Sequence, residues 1–553
     1  MPERTASPVS FRAKLIQKPQ KSVNTIKTPC SSRSVADVSP AIRIILCSLT
    51  CAVMLMSAPA SAFDFQTVID KAGSLASKPY QAPQAIPKFM RELSYSQYQD
   101  IRFDPEKSLW RESGSRFQVM LMPPGLFYDH AVAINIVDSQ GSHPLPFKRD
   151  LFTLNDPNLA KRIPPDLGYA GFKLTFPMDK EDQHNQFLVF AGASYFRSVG
   201  QGNTFGLSAR GVALDTGLSS GEEFPSFVEF WLVRPSPEAK EMLLYALLDG
   251  KSMTGAYAFT ITPGAATAMA IKATIFARTQ LKLAGIAPLT SMFYYGDNTA
   301  RPIGEWRRQV HDSDGLLIHD GVTGEWLWRP LLNPKTLQMD AFATENVRGF
   351  GLLQRDSDFR DYLDAEAQYH LRPSAWVEPR VDWGKGQVVL VQLPSPNETN
   401  DNIVAFWNPA EQVTPEKPLS LEYTLKFGDS AITGEESMGR VINTLVGDGN
   451  RTGGGSADGA YRLIVDFAGG PLDKLSARAK ILATVTALEQ GEVLDHYVEY
   501  IASQRCWRLS ILAKASKNAP LVLRAYLSRE REALTETWTY SLAADNDIRI
   551  QGD

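Results

Sequence analysis

The feature that most limits what this chain can become is a long succession of short apolar segments, each broken off by Gly, Pro, Asn or Asp. Segments 116–121, 131–137, 172–176, 186–190, 227–232, 241–248, 256–261, 269–277, 387–392 and 419–426 are rich in Val, Ile, Phe and Tyr and often alternate in polarity. Alternation with period two turns one face of a strand inward, and branched or aromatic side chains suit a pleated surface. Helical periodicity is scarce, the clearest case being a short stretch at 65–75. Without a strand–helix–strand rhythm, the pattern predicts an all-β chain built as an antiparallel sandwich or barrel.

The composition changes between 428 and 461, where the run Gly447-Asp448-Gly449-Asn450-Arg451-Thr452-Gly453-Gly454-Gly455-Ser456 reads as a polar linker. Six more strand-like segments follow, at 461–467, 480–487, 493–501, 507–513, 521–527 and 533–540. Their spacing suits a small immunoglobulin-like sandwich, although the Cys…Trp…Cys signature is missing. A chain of this length exceeds one hydrophobic core. The expected division is a leader at 1–62, a large β-sandwich domain at 63–430, a Gly-rich linker at 431–456 and a small C-terminal domain at 457–553.

The first 62 residues read as a cleavable export signal. Residues 44–62 carry no charge, Arg43 precedes them, and Ala60-Ser61-Ala62 has the small-x-small form of a cleavage site. The apolar core at 44–56 falls short of the roughly 20 residues that span a bilayer, so no transmembrane anchor is expected after cleavage. No Arg-Arg pair precedes it, which favours the general secretion route over the twin-arginine one. Cys51 lies inside the apolar core, not at its end, which argues against a lipoprotein.

Cleavage changes the chemistry of what remains. The whole chain has a formal charge of −4, and the leader takes eight Lys/Arg and two acids with it, leaving 49 basic and 59 acidic residues and a charge of −10. An acidic chain with no basic block is a poor match for phosphates, so nucleic acid is not an expected partner and a neutral ligand is. Three of the four cysteines also leave. Cys506 alone remains, which excludes an intrachain disulfide and a cysteine zinc cluster.

Six of the ten tryptophans, Trp306, Trp326, Trp328, Trp376, Trp383 and Trp407, fall within about a hundred residues, among turn-bound acids and arginines. Aromatic faces stack on sugar rings while carboxylates and amides take the hydroxyls, so this mixture fits a carbohydrate cleft. It equally fits the core of a β-protein, since Trp326 and Trp328 share one sheet face. Glycoside hydrolysis needs two carboxylates, and a dozen candidates from Asp312 to Asp401 are too many for spacing to choose between. Asp312-Ser313-Asp314-Gly315 resembles half a calcium loop but lacks the twelfth-position Glu. No phosphate-binding loop or His-Glu-x-x-His is present, and the seven histidines are scattered, so no cofactor and no metal is expected.

The strings Asp166-Leu167-Gly168-Tyr169-Ala170-Gly171-Phe172, Gly192-Ala193-Ser194-Tyr195-Phe196-Arg197, Gly206-Leu207-Ser208-Ala209-Arg210-Gly211 and Ala287-Pro288-Leu289-Thr290-Ser291-Met292-Phe293 give the chain a recognisable likeness. Together with Glu222-Glu223-Phe224-Pro225, Tyr245-Ala246-Leu247-Leu248-Asp249 and the Trp-rich segments, they make residues 65–542 resemble the periplasmic glucans biosynthesis protein G/D family. The leader places the chain nearer its G branch. The resemblance implies a large mutarotase-like β-sandwich joined to the small immunoglobulin-like one, a periplasmic location, and a role on the β-1,2-linked glucose backbone of osmoregulated glucans. It implies an inverting β-1,2-glucan hydrolase with Asp401, in Glu-Thr-x-Asp-Asn, as general acid and Asp312, in His-Asp-Ser, as general base acting through a relay. A non-catalytic glucan-binding or assembly factor and a branching transferase are the alternatives, with an inner-membrane glucan synthase as the implied protein partner. Substrate contacts are expected from Trp326, Trp328, Arg329, Trp376, Trp383, Tyr195, Arg197 and Asp314. A general acid must keep its proton near neutral pH, so Asp401 is expected in a desolvated setting or beside another carboxylate, and Asp312 in one that keeps it ionised.

Overall fold

Strand follows strand in the computed structural model, which describes residues 63–449, 459–488, 491–516 and 519–543. The expected export signal lies outside the described residues. Every segment assigned above to a strand coincides with one, and the last, 533–540, divides into two, Glu532–Ala533 and Thr537–Leu542.

The helix Phe65–Ala76 opens the described chain. Asp64 caps it by accepting from the Thr67 N–H at 3.0 Å, and its apolar stripe buries Val68 and Ala72 against Trp231, Tyr245 and Ala256.

Two large sheets face each other. One runs Gln118–Met122, Gly171–Lys180, Gln183–Ala191, Tyr195–Ser198, Ser208–Arg210, Ala284–Ser291, Ile403–Pro409, Lys385–Gln392, Gln338–Glu345. The other includes Gly315–His319, Gly349–Leu353, Ser374–Pro379, Leu419–Gly428, Thr267–Ala277, Met253–Thr262, Met242–Asp249 and Ser226–Val233 in that order. Alternate residues of both meet in one core, where Phe172, Phe190, Phe227, Phe230 and Phe259 make edge-to-face contacts.

The C-terminal sandwich is not separate from this framework. Thr537–Leu542 pairs in parallel with Trp326–Pro330, so the second sheet continues through Leu521–Arg529 to Leu482–Leu488. A four-stranded sheet, Arg440–Asp448, Ala460–Ala468, Cys506–Ala515 and Gly491–Ile501, covers that end. Their shared core takes Leu317, Trp328, Leu353 and Trp376 from the larger part, along with Val465, Ile511, Leu523 and Trp538. Arg355 pins the junction, donating to Glu536 at 2.6 and 2.9 Å and to the Val441 carbonyl at 2.7 Å. The range expected to be a linker, 431–456, holds strand Arg440–Asp448, because alternate residues such as Val441 and Leu445 pair with Ala460–Ala468 despite the polar composition. Residues 450–458 lie outside the described residues.

Candidate active site

Strand Ala284–Ser291 lies in the middle of the first sheet, between Ser208–Arg210 and Ile403–Pro409. It carries a bulge between Ile286 and Leu289, with Ala287 at φ 48°, an irregularity of the kind that re-aims a strand end. The two peptide groups at its end fix both expected catalytic carboxylates. The Asp312 N–H donates to the Met292 carbonyl at 2.8 Å, and the N–H of Asn402, next to Asp401, donates to the Ser291 carbonyl at 3.1 Å. Asn402 is itself clamped: its Oδ1 accepts from Phe293 N–H at 2.9 Å and its Nδ2 donates to the Phe293 and Leu393 carbonyls, both at 3.0 Å. The Ser291 and Ser313 hydroxyls meet at 2.8 Å.

The two carboxylates differ in setting. Asp312 is 7% exposed, and its Oδ1 accepts no hydrogen bond from the protein. Burial pushes its carboxyl up to about 6, against the pull of Arg372 and with a further push from Asp401. Arg372 Nε stands 3.6 Å from Asp312 Oδ1. Its guanidinium is held by the Phe205 carbonyl and, at 2.9 Å, the Ala367 carbonyl, and lies 5.3 Å from the Tyr369 ring centre. Burial and the Asp312 charge push the Tyr369 phenol upward. Asp401 lies at the solvent edge, with Arg197 3.5 Å from its Oδ2. Arg197 is fixed by a 2.7 Å bond from its Nε to the Ser208 hydroxyl. The desolvation expected at the acid is therefore found at Asp312, which the strand end draws inward, while Asp401 follows a surface turn.

Asp314 is corrected as a substrate contact. It accepts from the backbone N–H groups of Arg355 and, at 3.0 Å, Asp356, and it lines a separate small cavity with Asp297, Gln309, His311 and Asp356. Burial pushes Asp314 up to about 7 and Asp356, with Asp314 beside it, up to about 8. His311, Asp314 and Asp356 bring ligand atoms within 4.8 Å of one another. Both His311 nitrogens, however, face amide oxygens: Nδ1 lies 2.9 Å from Gln354 Oε1 and Nε2 2.8 Å from Gln309 Oε1. Gln354 commits its amide N–H groups to the His311 and Tyr369 carbonyls, and Gln309 donates to Asp356. A metal would have to break one of these bonds.

Of the six clustered tryptophans, Trp328, Trp376 and Trp407 are core residues, Trp326 and Trp383 are half-buried, and Trp306 is 61% exposed. Trp328 and Trp376 are 3% and 1% exposed. A Cβ on Gly315 would stand 2.3 Å from Trp328, and one on Gly349 2.3 Å from Trp376, so the indoles lie flat on glycines. Trp326 stacks on His319 and Trp376 at 4.1 and 5.7 Å, and Trp383 packs near Trp407 and Tyr423. Arg329, 2% exposed, is bound to Asp340 at 2.8 Å. Burial inside the sheets corrects Trp328, Trp376 and Arg329 as substrate contacts, while Trp326 and Trp383 remain half-buried at the margins of those cores. Arg197 stands beside Asp401, and Tyr195 lies two residues before it on the same strand. Arg372 and Tyr369 carry no local sequence mark of the site, since only the fold brings them to Asp312.

Residues 63–542 match the family model described as "Periplasmic glucan biosynthesis protein, MdoG". The chain belongs to the periplasmic glucan biosynthesis protein family. Among similar relatives are the glucans biosynthesis protein G of Dickeya dadantii, 41% identical over 90% of this chain and 97% of that one, and that of Ralstonia nicotianae, 42% identical over 88% and 98%. The protein of the same name from Pseudomonas aeruginosa is 41% identical over 93% and 99%. Membership in this family gives the protein a role in glucan biosynthesis, and the family is named for the periplasm. Among the described residues no helix is long and apolar enough to cross a membrane. The family match takes in Ser291–Phe293, both carboxylates and both arginines beside them.

Proposed function

We propose that this periplasmic glucan biosynthesis protein acts on the β-1,2-linked glucose backbone in the periplasm as an inverting hydrolase or trimming enzyme. Asp401 is the general acid and Asp312 the general base. The observation that supports a catalytic pair is the anchoring of two unlike carboxylates, one buried and one at the solvent edge, on adjacent peptide groups at the end of one strand. The assignment of Asp401 as the acid comes from the family likeness and requires glucan to cover it. Inverting hydrolysis requires two carboxyl groups in different environments, one giving a proton to the glycosidic oxygen and the other taking one from water on the opposite side of the ring. Asp312 Oδ1 is buried, accepts no hydrogen bond from the protein and has Arg372 Nε 3.6 Å away. The proton therefore reaches it through a relaying hydroxyl or water and not by direct contact with the attacking water. Arg197 and Arg372 hold the pair in place, and a glucan lying over Asp401 covers its solvent side.

A second reading, a glucan-binding assembly factor that receives chains from an inner-membrane synthase and presents them for branching, is favoured by the same arginines. Each occupies a carboxylate that hydrolysis needs free. Incubating the mature protein with linear β-1,2-glucan and following new reducing ends separates the two. New ends that vanish in Asp401→Asn support the enzyme, whereas binding with no new ends supports the assembly factor.

A further inference from the structure

The turn at 125–128 holds an aromatic ring out into solvent. Gly125 and Tyr128 exchange both backbone hydrogen bonds, each 2.9 Å, which leaves Leu126 and Phe127 at the tip. Leu126 takes φ 52°, and its N–H donates to the Met90 carbonyl at 2.9 Å. Tyr128 packs on Tyr98 at 6.1 Å, and the Tyr98 hydroxyl donates to the Pro123 carbonyl at 2.9 Å. The turn is thus fixed to its surroundings, yet Phe127 is 83% exposed. A single exposed apolar residue needs no explanation. This one, though, shares a cavity of about 230 Å³ with Tyr128, Tyr195, Asp129, His130 and Phe224, itself 51% exposed.

The cavity joins the candidate active site. The Arg210 guanidinium lies 4.7 Å from the Tyr195 ring and 5.5 Å from that of Phe224, tying the two together. Tyr195 and Arg197 are two apart on one strand and so share a face, and Arg197 reaches Asp401. Fixed aromatic faces beside a paired Asp129 and His130, 2.7 Å apart, form the mixture that grips a sugar: apolar C–H faces on rings, hydroxyls on polar groups.

We propose that this cavity is a subsite for one glucosyl unit on the Arg197 side of Asp401, with the pyranose face stacked on Phe127 and Phe224 and its hydroxyls taken by Asp129 and His130. The proposal rests on the reading of Asp312 and Asp401 as the glucan site. It is tested by binding of linear β-1,2-glucooligosaccharides of graded length to the mature chain carrying Asp401→Asn, with and without Phe127→Ala or Phe224→Ala. Long chains are expected to bind about tenfold more weakly to each Phe variant, while the shortest that bind are unaffected. Equal affinity at every length, or an equal loss for short and long chains, would overturn the subsite and leave the active-site reading standing. If the chain with both phenylalanines binds none of these sugars, the active-site reading falls and takes the subsite with it.

Discussion

Asp312 and Asn402 hang from neighbouring carbonyls, Met292 and Ser291, and Asn402 carries Asp401 with it. The backbone at Asp312 and beside Asp401 is therefore anchored at the end of one central strand. That strand is bulged at Ala287, inside one of the strings that carries the family likeness.

The base must be ionised to work, and burial pushes Asp312 up to about 6. Hydrolytic kcat/KM is expected to rise with pH through that value. Arg372 favours the ionised form, so Arg372→Gln should move this limb to higher pH by about one unit. A pH profile of reducing-end formation measures it. A lowered rate with an unmoved limb would mean that Arg372 only supports the loop.

The indoles on glycine predict a loss of stability separate from function. Gly315→Ala or Gly349→Ala forces a methyl into Trp328 or Trp376 and should cost about 1–3 kcal/mol in denaturant unfolding. The folded fraction should bind glucan unchanged. Weakened binding at full stability would put those tryptophans back in a cleft.

The strands were legible because period two and turn residues act locally, and so was the helix at 65–76. Trp328 and Trp376 were misread because alternation places Trp326 and Trp328 on one face without saying whether that face meets sugar or a second sheet; the core shared with the C-terminal strands decides it. The linker was misread for a related reason. Gly447 and Asp448 look unstructured, but pairing with Arg462 and Tyr461 makes them the end of a strand. Asp312 and Asp401 came from family likeness, since a dozen carboxylates have no local mark of burial. Their meeting depends on backbone bonds to Ser291 and Met292, which no spacing encodes.

The C-terminal sandwich shares its core with the larger part, so a chain ending at residue 430 should not fold. It would leave Trp326–Pro330 as an open edge and uncover Leu317, Trp328, Leu353 and Trp376. Size-exclusion chromatography is expected to show aggregate. A monomer with a cooperative melt would show that 63–430 stands alone.

The most direct measurement of the central claim is NMR of the first product formed from linear β-1,2-glucan by the mature protein and by Asp401→Asn. Inversion by Asp312 and Asp401 predicts that the new reducing end appears first as the α-anomer, with the rate falling at least about a hundredfold in the variant. A β-anomer appearing first, or an undiminished rate in Asp401→Asn, would contradict it.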